Sequence, residues 1–331
     1  MISVVIAIKN DITHVSKCFN SLVNQTFPDY EVIFVDGKSS DGTSEFLRQS
    51  ITGLKNFKLI DNPAGNAASG RNLGIKCAEG IFIAFIDSDA YTDTGWLERI
   101  QAKLSNLRDP KIAGVGGPIL PPDNQPPLAH TIHAVMSSPI ASGGLFNPSS
   151  QHKKYGKNCL VKMIPTGNIA LKRKIFEDEG LFDETFVKGQ DLEFFTRLFK
   201  KGYRFLYDPE IKVWHPEKTN IRSFARQVFK WGAAKALTVK KHGFNAVYFL
   251  PLAVLFAMLF LLILSLVLPR VFTYIQAIVS AYALIIVLES IHISLKRPQN
   301  LWTTIVLFPL IHSAYTAGFF HGLTQKIRKK I

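Results

Sequence analysis

Asp87-Ser-Asp89 puts two carboxylates one residue apart, directly after the apolar run Ile81-Phe-Ile-Ala-Phe-Ile86. A pair of hard oxygen ligands at a strand end can hold a divalent cation, and such a cation typically bridges the oxygens of a diphosphate. Solvated turn carboxylates are the alternative reading of a D-x-D match. Asp36 ends another apolar run, Glu31-Val-Ile-Phe-Val35, and opens Asp36-Gly-Lys-Ser-Ser-Asp-Gly-Thr43. A carboxylate there can accept hydrogen bonds from a nucleobase or ribose. Asp41 in the same stretch reads as a cap for the following helix. In Asn66-Ala-Ala-Ser-Gly-Arg-Asn-Leu-Gly74 a helix opens; Arg71 could reach a phosphate and Asn72 a sugar, or the stretch is simply a capped helix.

These residues need elements to hold them. Met1-Ile-Ser-Val-Val-Ile-Ala-Ile8 lacks the basic leader and small-residue cleavage site of a signal peptide, and reads as a buried parallel strand. Residues 31–35 and 81–86 read likewise, with helical patterns at about 15–24, 41–50 and 66–79 between them. Strand–helix alternation with polar residues at the strand C-ends predicts an open α/β sheet, which binds ligands at those ends. Residues 114–165, rich in Gly, Pro, Ser and His, read as a long irregular loop.

The order V-D-x-x-S-x-D-G-T, N-x(4)-R-N-x-G and a strand ending D-S-D resembles family 2 glycosyltransferases with the GT-A fold. Thr166-Gly-Asn-Ile-Ala-Leu-Lys-Arg173, Gly180-Leu-Phe-Asp-Glu184, Gly189-Gln-Asp-Leu-Glu-Phe-Phe-Thr-Arg197, Gly202-Tyr-Arg204 and Val213-Trp-His215 are similar to later segments of that family. Together they cover about residues 2–216. The resemblance implies an α/β nucleotide-sugar-binding domain with a mixed, mostly parallel sheet. It implies an inverting transfer and a divalent cation, Mg2+ or Mn2+. It assigns Asp36 to the nucleoside and Asp87 and Asp89 to metal and diphosphate, with Asp89 as direct ligand. Arg71 and Asn168 would lie on the donor side. Asp191 would be the catalytic base, Gln190 would face the acceptor, and His215 would help hold the metal. Two positions depart from the pattern: Gly37, where many members carry a second acid, and Gln190, where many carry Glu. The second makes Glu193 a competitor to Asp191 as base.

Gln227-Val-Phe-Lys-Trp231 is similar to the Q-x-x-R-W motif of membrane-embedded synthases such as cellulose synthase, with Lys for Arg. The resemblance implies an acceptor-side role for Gln227 and Trp231; an interface-anchoring Trp is the alternative. Residues 219–243 independently read as an amphipathic interfacial helix. Arg222, Arg226 and Lys230 mark one face and Ile221, Phe224, Ala225, Val228 and Gly232 the other.

The chain has 331 residues, 39 Lys+Arg and 25 Asp+Glu, a net charge of +14 with 47% hydrophobic residues. Those averages exclude a disordered chain, a collagen and a small disulfide scaffold. Three cysteines without C-x-x-C spacing argue against a disulfide framework or zinc site. The charge is not spread evenly. Residues 1–218 hold 26 basic and 24 acidic side chains; residues 219–331 hold 13 basic ones and a single acid, Glu289. The excess therefore reports attachment to an anionic leaflet, with no nucleic-acid partner expected.

The expected organisation is a cytoplasmic catalytic domain over 1–218, the interfacial helix over 219–243 and a transmembrane region over 244–331. Spans are expected at about 244–268, 271–294 and 301–323, the third less pure and either crossing, re-entrant or interfacial. Lys235, Lys240, Lys241, Lys296 and Arg297 put the catalytic domain in the cytoplasm by the positive-inside rule. Glu289 and His292 mark either a polar intramembrane site or interface residues. The implied activity is transfer of a sugar from a nucleotide-diphosphate donor to a membrane-associated acceptor, a polyprenyl-phosphate or lipid-linked glycan, among membrane lipids. A homo-oligomer is left open. A processive polysaccharide synthase and a non-catalytic nucleotide-sugar-binding scaffold are the alternatives.

Overall fold

The computed structural model describes residues 1–142, 159–186, 188–296 and 300–325. Arg297-Pro298, the centre of the 114–165 stretch and the basic tail at 326–331 lie outside them. The chain forms two compact units. Among the described residues, the first comprises 1–123 and 159–216, and the second 124–142 and 217–325.

In the first unit an eight-stranded sheet has the order β3-β2-β1-β4-β9-β6-β10-β8. Its strands are β1 (Ile2–Ile8), β2 (Tyr30–Asp36), β3 (Phe57–Asp61), β4 (Phe82–Ile86), β6 (Ile112–Gly116), β8 (Cys159–Val161), β9 (Asn168–Lys172) and β10 (Arg204–Tyr207). β1, β2, β3 and β4 are parallel; β9 runs antiparallel between β4 and β6, and β8 is an antiparallel edge. The sheet is thus mixed and mostly parallel. Alternate residues of β1 enter opposite cores, because side chains of a strand alternate faces. Ile2, Val4, Ile6 and Ile8 pack with Phe19 and Leu22 of α1 (Val15–Val23), Leu47 of α2 (Thr43–Ser50) and Trp96 and Ile100 of α4 (Trp96–Leu104). Val5 packs on the other side with Ile75 of α3 (Ala67–Cys77), Phe176 of α7 (Lys174–Glu179) and Phe194 of α8 (Gln190–Lys200).

A small second sheet has the order β5-β11-β7, from β5 (Tyr91–Thr92), β7 (Ile119–Leu120) and β11 (Val213–Trp214). Trp214 stacks on Tyr91 with ring centroids 5.7 Å apart. This short sheet matters for the site, because it joins the residues after β4 to the residue after β11.

The second unit holds α5 (Pro127–Met136), α6 (Pro139–Ser142), α9 (Ile221–His242), α10 (Ala246–Ser265), α11 (Arg270–Lys296) and α12 (Leu301–Thr324). α10, α11 and α12 are long and apolar enough to cross a membrane, with mean hydropathies of 2.8, 2.2 and 1.3 over their most apolar windows. Residues 124–142 belong with these helices, although the sequence suggested an irregular loop of the catalytic domain. The reason is local. Pro126-Pro127 fixes the backbone for a helix start. Ala129, Ile132, Val135 and Met136 are then buried together, and the last three join Leu307, Phe308 and Ile311 in the unit's core. The three- and four-residue spacing was hidden by the Pro, His and Ser around it.

α9 and α12 lie side by side with almost no side chain between their backbones. A Cβ at Gly232 would strike the Tyr315 carbonyl, one at Gly318 the Phe229 carbonyl, and one at Gly322 the Ala233 carbonyl. Small residues allow this close approach, as in membrane helix pairs. Lys235 of α9 is buried beside it, its Nζ 4.9 Å from the Tyr248 ring centroid and 5.6 Å from that of Tyr315.

Candidate active site

The site is built at the C-terminal ends of β2 and β4, where an open α/β sheet leaves its crevice. β4 ends at Ile86, so Asp87-Ser-Asp89 leaves the sheet as a turn closed by the Ala90 N–H donating to the Asp87 carbonyl at 3.1 Å. Ser88 Oγ donates to Asp11 Oδ2 at 2.6 Å, and the buried Cys18 thiol lies 3.7 Å from the Asp87 carbonyl, which together fix the turn from below. Burial pushes the Cys18 thiol up, as do the Asp89, Asp11 and Asp87 charges.

Arg71 of α3 reaches this turn and donates from Nη2 to Asp87 Oδ1 at 3.2 Å. Its Nη1 is buried and has no hydrogen-bond partner among the described residues. A buried guanidinium nitrogen left open beside a carboxylate cluster is positioned to receive an anionic oxygen. On the other side, β5 and β11 bring Asp89 and His215 together, with His215 Nε2 3.1 Å from Asp89 Oδ1. The His215 backbone N–H donates to Leu120 at 2.9 Å and pins the residue to the end of β7.

Asp191 enters from the first turn of α8, where its Oδ1 accepts from the Leu192 N–H at 2.8 Å. Its carboxylate is close enough to bear on Asp87. Removal from water pushes the Asp87 carboxyl above its ordinary value; Arg71 and His215 pull it down, while Asp89 and Asp191 oppose its ionisation. Clustered carboxylates of this kind mark a place for a cation. Glu193, the competitor for the role of base, is fully buried and lies 3.5 Å from Arg197, which also bonds the carbonyls of Glu179 and Leu181. That places it inside the support of α8, away from solvent.

Asp36 is buried at the end of β2 and accepts from Ser39 N at 3.1 Å and Ser39 Oγ at 2.5 Å. Asp41 accepts from Thr43 N and Oγ1 and from Ile12 N, and so holds the start of α2. Gln190, first in α8, is 8% exposed with its Oε1 lacking a partner among the described residues.

Two sequence expectations meet a different placement. Asn168 has no exposed surface: it donates to the Pro118 and Ile211 carbonyls at 2.9 and 2.7 Å and accepts from Trp96 Nε1 at 3.0 Å. Opposite Ile86 in the sheet register, its amide ties the floor of the site together and is spent inside the fold. Asn72 does not face a sugar either. It donates to the Phe182 carbonyl at 2.9 Å and Glu184 Oε1 at 2.8 Å and accepts from the Phe182 N–H at 2.9 Å. Gln227 and Trp231 lie on α9 in the second unit, Trp231 against its apolar core and Gln227 with a buried Oε1. Gly167 carries a signal the sequence reading passed over: a Cβ there would stand 2.9 Å from Asp87 Oδ2.

The model of glycosyl transferase family 2 matches residues 3–180, which include the D-S-D turn, Arg71 and the strands from β1, less its first residue, to β9. The chain belongs to this family. It is 29% identical over 331 residues, 98% of this chain and 97% of the other, to the dolichyl N-acetyl-alpha-D-glucosaminyl phosphate 3-beta-D-2,3-diacetamido-2,3-dideoxy-beta-D-glucuronosyltransferase of Methanococcus voltae. It is 28% identical over 220 residues to glycosyltransferase AglE of Haloferax volcanii, covering 66% of this chain and 67% of that one. Among solved structures, the mannosyltransferase PcManGT of Pyrobaculum calidifontis, in complex with GDP-Man and Mn2+, superposes with a TM-score of 0.59 at 19% identity, covering 98% of this chain and 87% of the other. TarS 1-349 of S. aureus in complex with UDP follows at 0.50 and 16%, covering 75% and 68%. The first unit is therefore a GT-A-type domain, and the protein is a glycosyltransferase carrying C-terminal helices able to span a membrane.

Proposed function

We propose that the protein is a membrane-bound inverting glycosyltransferase. It takes a sugar from a nucleotide-diphosphate donor in the cytoplasm and adds it to a lipid-linked glycan or polyprenyl phosphate. The observation that carries this is the convergence of Arg71, Asp87, Asp89, His215 and Asp191 at the sheet's C-terminal edge. The relative from Methanococcus voltae is named for a dolichyl-phosphate-linked acceptor, which supports an acceptor held at the membrane.

The donor set fits a divalent cation. Among the described residues no three His, Cys, Asp or Glu side chains form a ready cage. Asp89 with His215 beside it, and Asp87 next to them, offer a partial set that diphosphate oxygens would complete, as Mg2+ and Mn2+ sites commonly require. When bound, the ion supplies charge neutralisation for the departing diphosphate. The chain's own residues do the rest. Arg71, steadied by Asp87, turns its open Nη1 toward a phosphate oxygen. Asp36 receives the nucleoside.

Asp191 takes the proton from an acceptor hydroxyl as that oxygen attacks the anomeric carbon. The new glycosidic C–O bond forms as the bond to the diphosphate breaks, and the nucleoside diphosphate leaves with the electron pair. A phosphate monoester is already ionised at neutral pH and needs no such base. A working Asp191 therefore favours a sugar hydroxyl of a lipid-linked glycan over a bare polyprenyl phosphate.

The test is purified full chain incubated with labelled UDP-, GDP- and dTDP-sugars and a native lipid extract, with mass spectrometry of the lipids. Asp191→Asn should lower kcat by about 10²–10⁴-fold, the usual contribution of a general base. Asp89→Ala should abolish the transfer that Mg2+ or Mn2+ restores after chelation. Wild-type rates in both variants would overturn the assignment. One added sugar per acceptor is expected; a ladder of products would select the processive reading.

A further inference from the structure

The second unit contains an apolar cavity of about 940 Å³, walled by α6, α10, α11 and α12. We propose that it holds the hydrocarbon chain of the acceptor lipid, with α6 as the wall that makes the groove a pocket. The inference rests on the reading above that the acceptor is lipid-borne.

The chemistry of the walls decides what fits. Among the described residues no charged side chain lines the cavity. Its polar groups are already committed within the protein. Ser313 Oγ donates to the Pro309 carbonyl at 2.5 Å, and Thr316 Oγ1 to the His312 carbonyl at 2.7 Å. His312 Nε2 lies 3.0 Å from the Ile140 carbonyl and Nδ1 2.8 Å from Tyr282 OH. A carbonyl only accepts, so Nε2 carries the proton; the neutral ring then accepts the Tyr282 hydroxyl at Nδ1. Among the described residues no wall donor is left for a polar guest, which would forfeit its hydrogen bonds to water on entry. A hydrocarbon chain forfeits nothing. Val254 and Val279 remain about half exposed on the walls, so the pocket opens to its surroundings rather than being sealed. Its volume lies at the upper end of ligand pockets, room for a chain segment rather than a methyl group or two.

The connectivity argues for the acceptor's chain over that of a bulk lipid. α6 belongs to the segment inserted between β7 and β8, and β7 pairs with β11, the strand that His215 follows. His312 holds α6 by the Ile140 carbonyl, and Ser138 just before α6 donates to Glu289 Oε1 of α11 at 2.7 Å. A stretch of chain that leaves the catalytic sheet is thereby locked onto the helices as part of the pocket wall. This also explains Glu289, the single acid of the last third: it fastens the inserted segment.

The test uses full-length protein in phosphatidylcholine nanodiscs with a diazirine-tagged long-chain polyprenyl phosphate, mapping the cross-links by mass spectrometry. Label is expected on α10, α11 and α12 at the cavity walls, and untagged polyprenyl phosphate should compete for it while phosphatidylglycerol does not. Val279→Trp and Ala317→Trp, at exposed wall positions that the packing does not use, should cut labelling about tenfold or more. They should raise KM for a glycan acceptor carried on a long polyprenyl chain and leave the same glycan on a geranyl chain, and donor hydrolysis, unchanged. Labelling outside the cavity, equal competition by phosphatidylglycerol, or equal loss for short and long chains would overturn the proposal. Wild-type protein that labels in the cavity but transfers no sugar to any lipid would sink the acceptor reading alone. Transfer with label elsewhere would sink the cavity alone.

Discussion

Gly167 shows how much of the site depends on the absence of an atom. A Cβ there would stand 2.9 Å from Asp87 Oδ2 and 3.0 Å from Ile119 Cδ1. Gly167→Ala leaves the sheet intact, because the atoms in its way are the ends of two side chains, Asp87 Oδ2 and Ile119 Cδ1, and no backbone. It turns Asp87 off Arg71, at a cost of about 1–3 kcal/mol by the usual scale of overpacking. The expected result is a donor KM raised about tenfold with the melting temperature lowered by a few degrees, at roughly 2–4 °C per kcal/mol; steady-state kinetics and a thermal melt in detergent check it. An unaltered KM would remove Asp87 from the donor site. At this scale the local motif was legible. Asp87 and Asp89 are neighbours in sequence, and a carboxylate pair after an apolar run can be read directly. The Asp89–His215 contact could be assigned only by resemblance, because the strands that create it, β5 and β11, have two residues each and no periodicity to read. Resemblance alone places Asn168 on the donor side; in the structure it opens a strand in the middle of the sheet with its amide bonded inside the fold.

The elements are held to the site by one amide in particular. Asn72 follows Arg71 on α3 and closes a two-way bond with the backbone of Phe182, in the turn that leads to α8 and Asp191. The donor side and the base helix therefore share a fastener. Asn72→Ala orphans the buried N–H and C=O of Phe182, each worth about 1–3 kcal/mol when left unpaired. A drop of several degrees in melting temperature is expected, at roughly 2–4 °C per kcal/mol for a domain of this size. kcat should fall more than donor KM rises, since what shifts is α8 and its base. Equal kcat in the variant and the parent would mean that the turn does not position Asp191. The strands β1, β2 and β4 and helices α1 to α3 fall where the hydrophobic runs put them, because buried parallel strands read as continuous apolar segments. α5 did not, since its buried apolar positions, Ala129, Ile132, Val135 and Met136, sit among prolines and histidines that mimic a loop.

The molecule as a whole raises a question of topology that the helices answer through their packing. Contacts between α9 and α12 advance together along both: Phe229 meets Gly318, Ala233 meets Gly322, and Lys240 Nζ donates to the Gln325 carbonyl. The two helices are parallel and clasped, so they share one depth. Arg222, Arg226 and Lys230 are exposed along the first half of α9, level with the middle of α12. Each would cost about 2.5–3.5 kcal/mol at the centre of a bilayer, so this level lies in the headgroup region or beyond. α12 is also the least apolar of the three, with a mean hydropathy of 1.3 against 2.8 for α10 and 2.2 for α11. We therefore predict that α10 and α11 cross and α12 does not. That arrangement also returns Lys296 to the side of Lys235, Lys240 and Lys241, which three crossings would leave at odds with the tail. Single cysteines in a cysteine-free chain decide it. In intact cells a membrane-impermeant maleimide should label Leu268→Cys, in the turn between α10 and α11. Asn300→Cys and Gln325→Cys should react only after permeabilisation. Labelling of Gln325→Cys from outside would establish a third crossing and require α9 to carry its arginines into the bilayer.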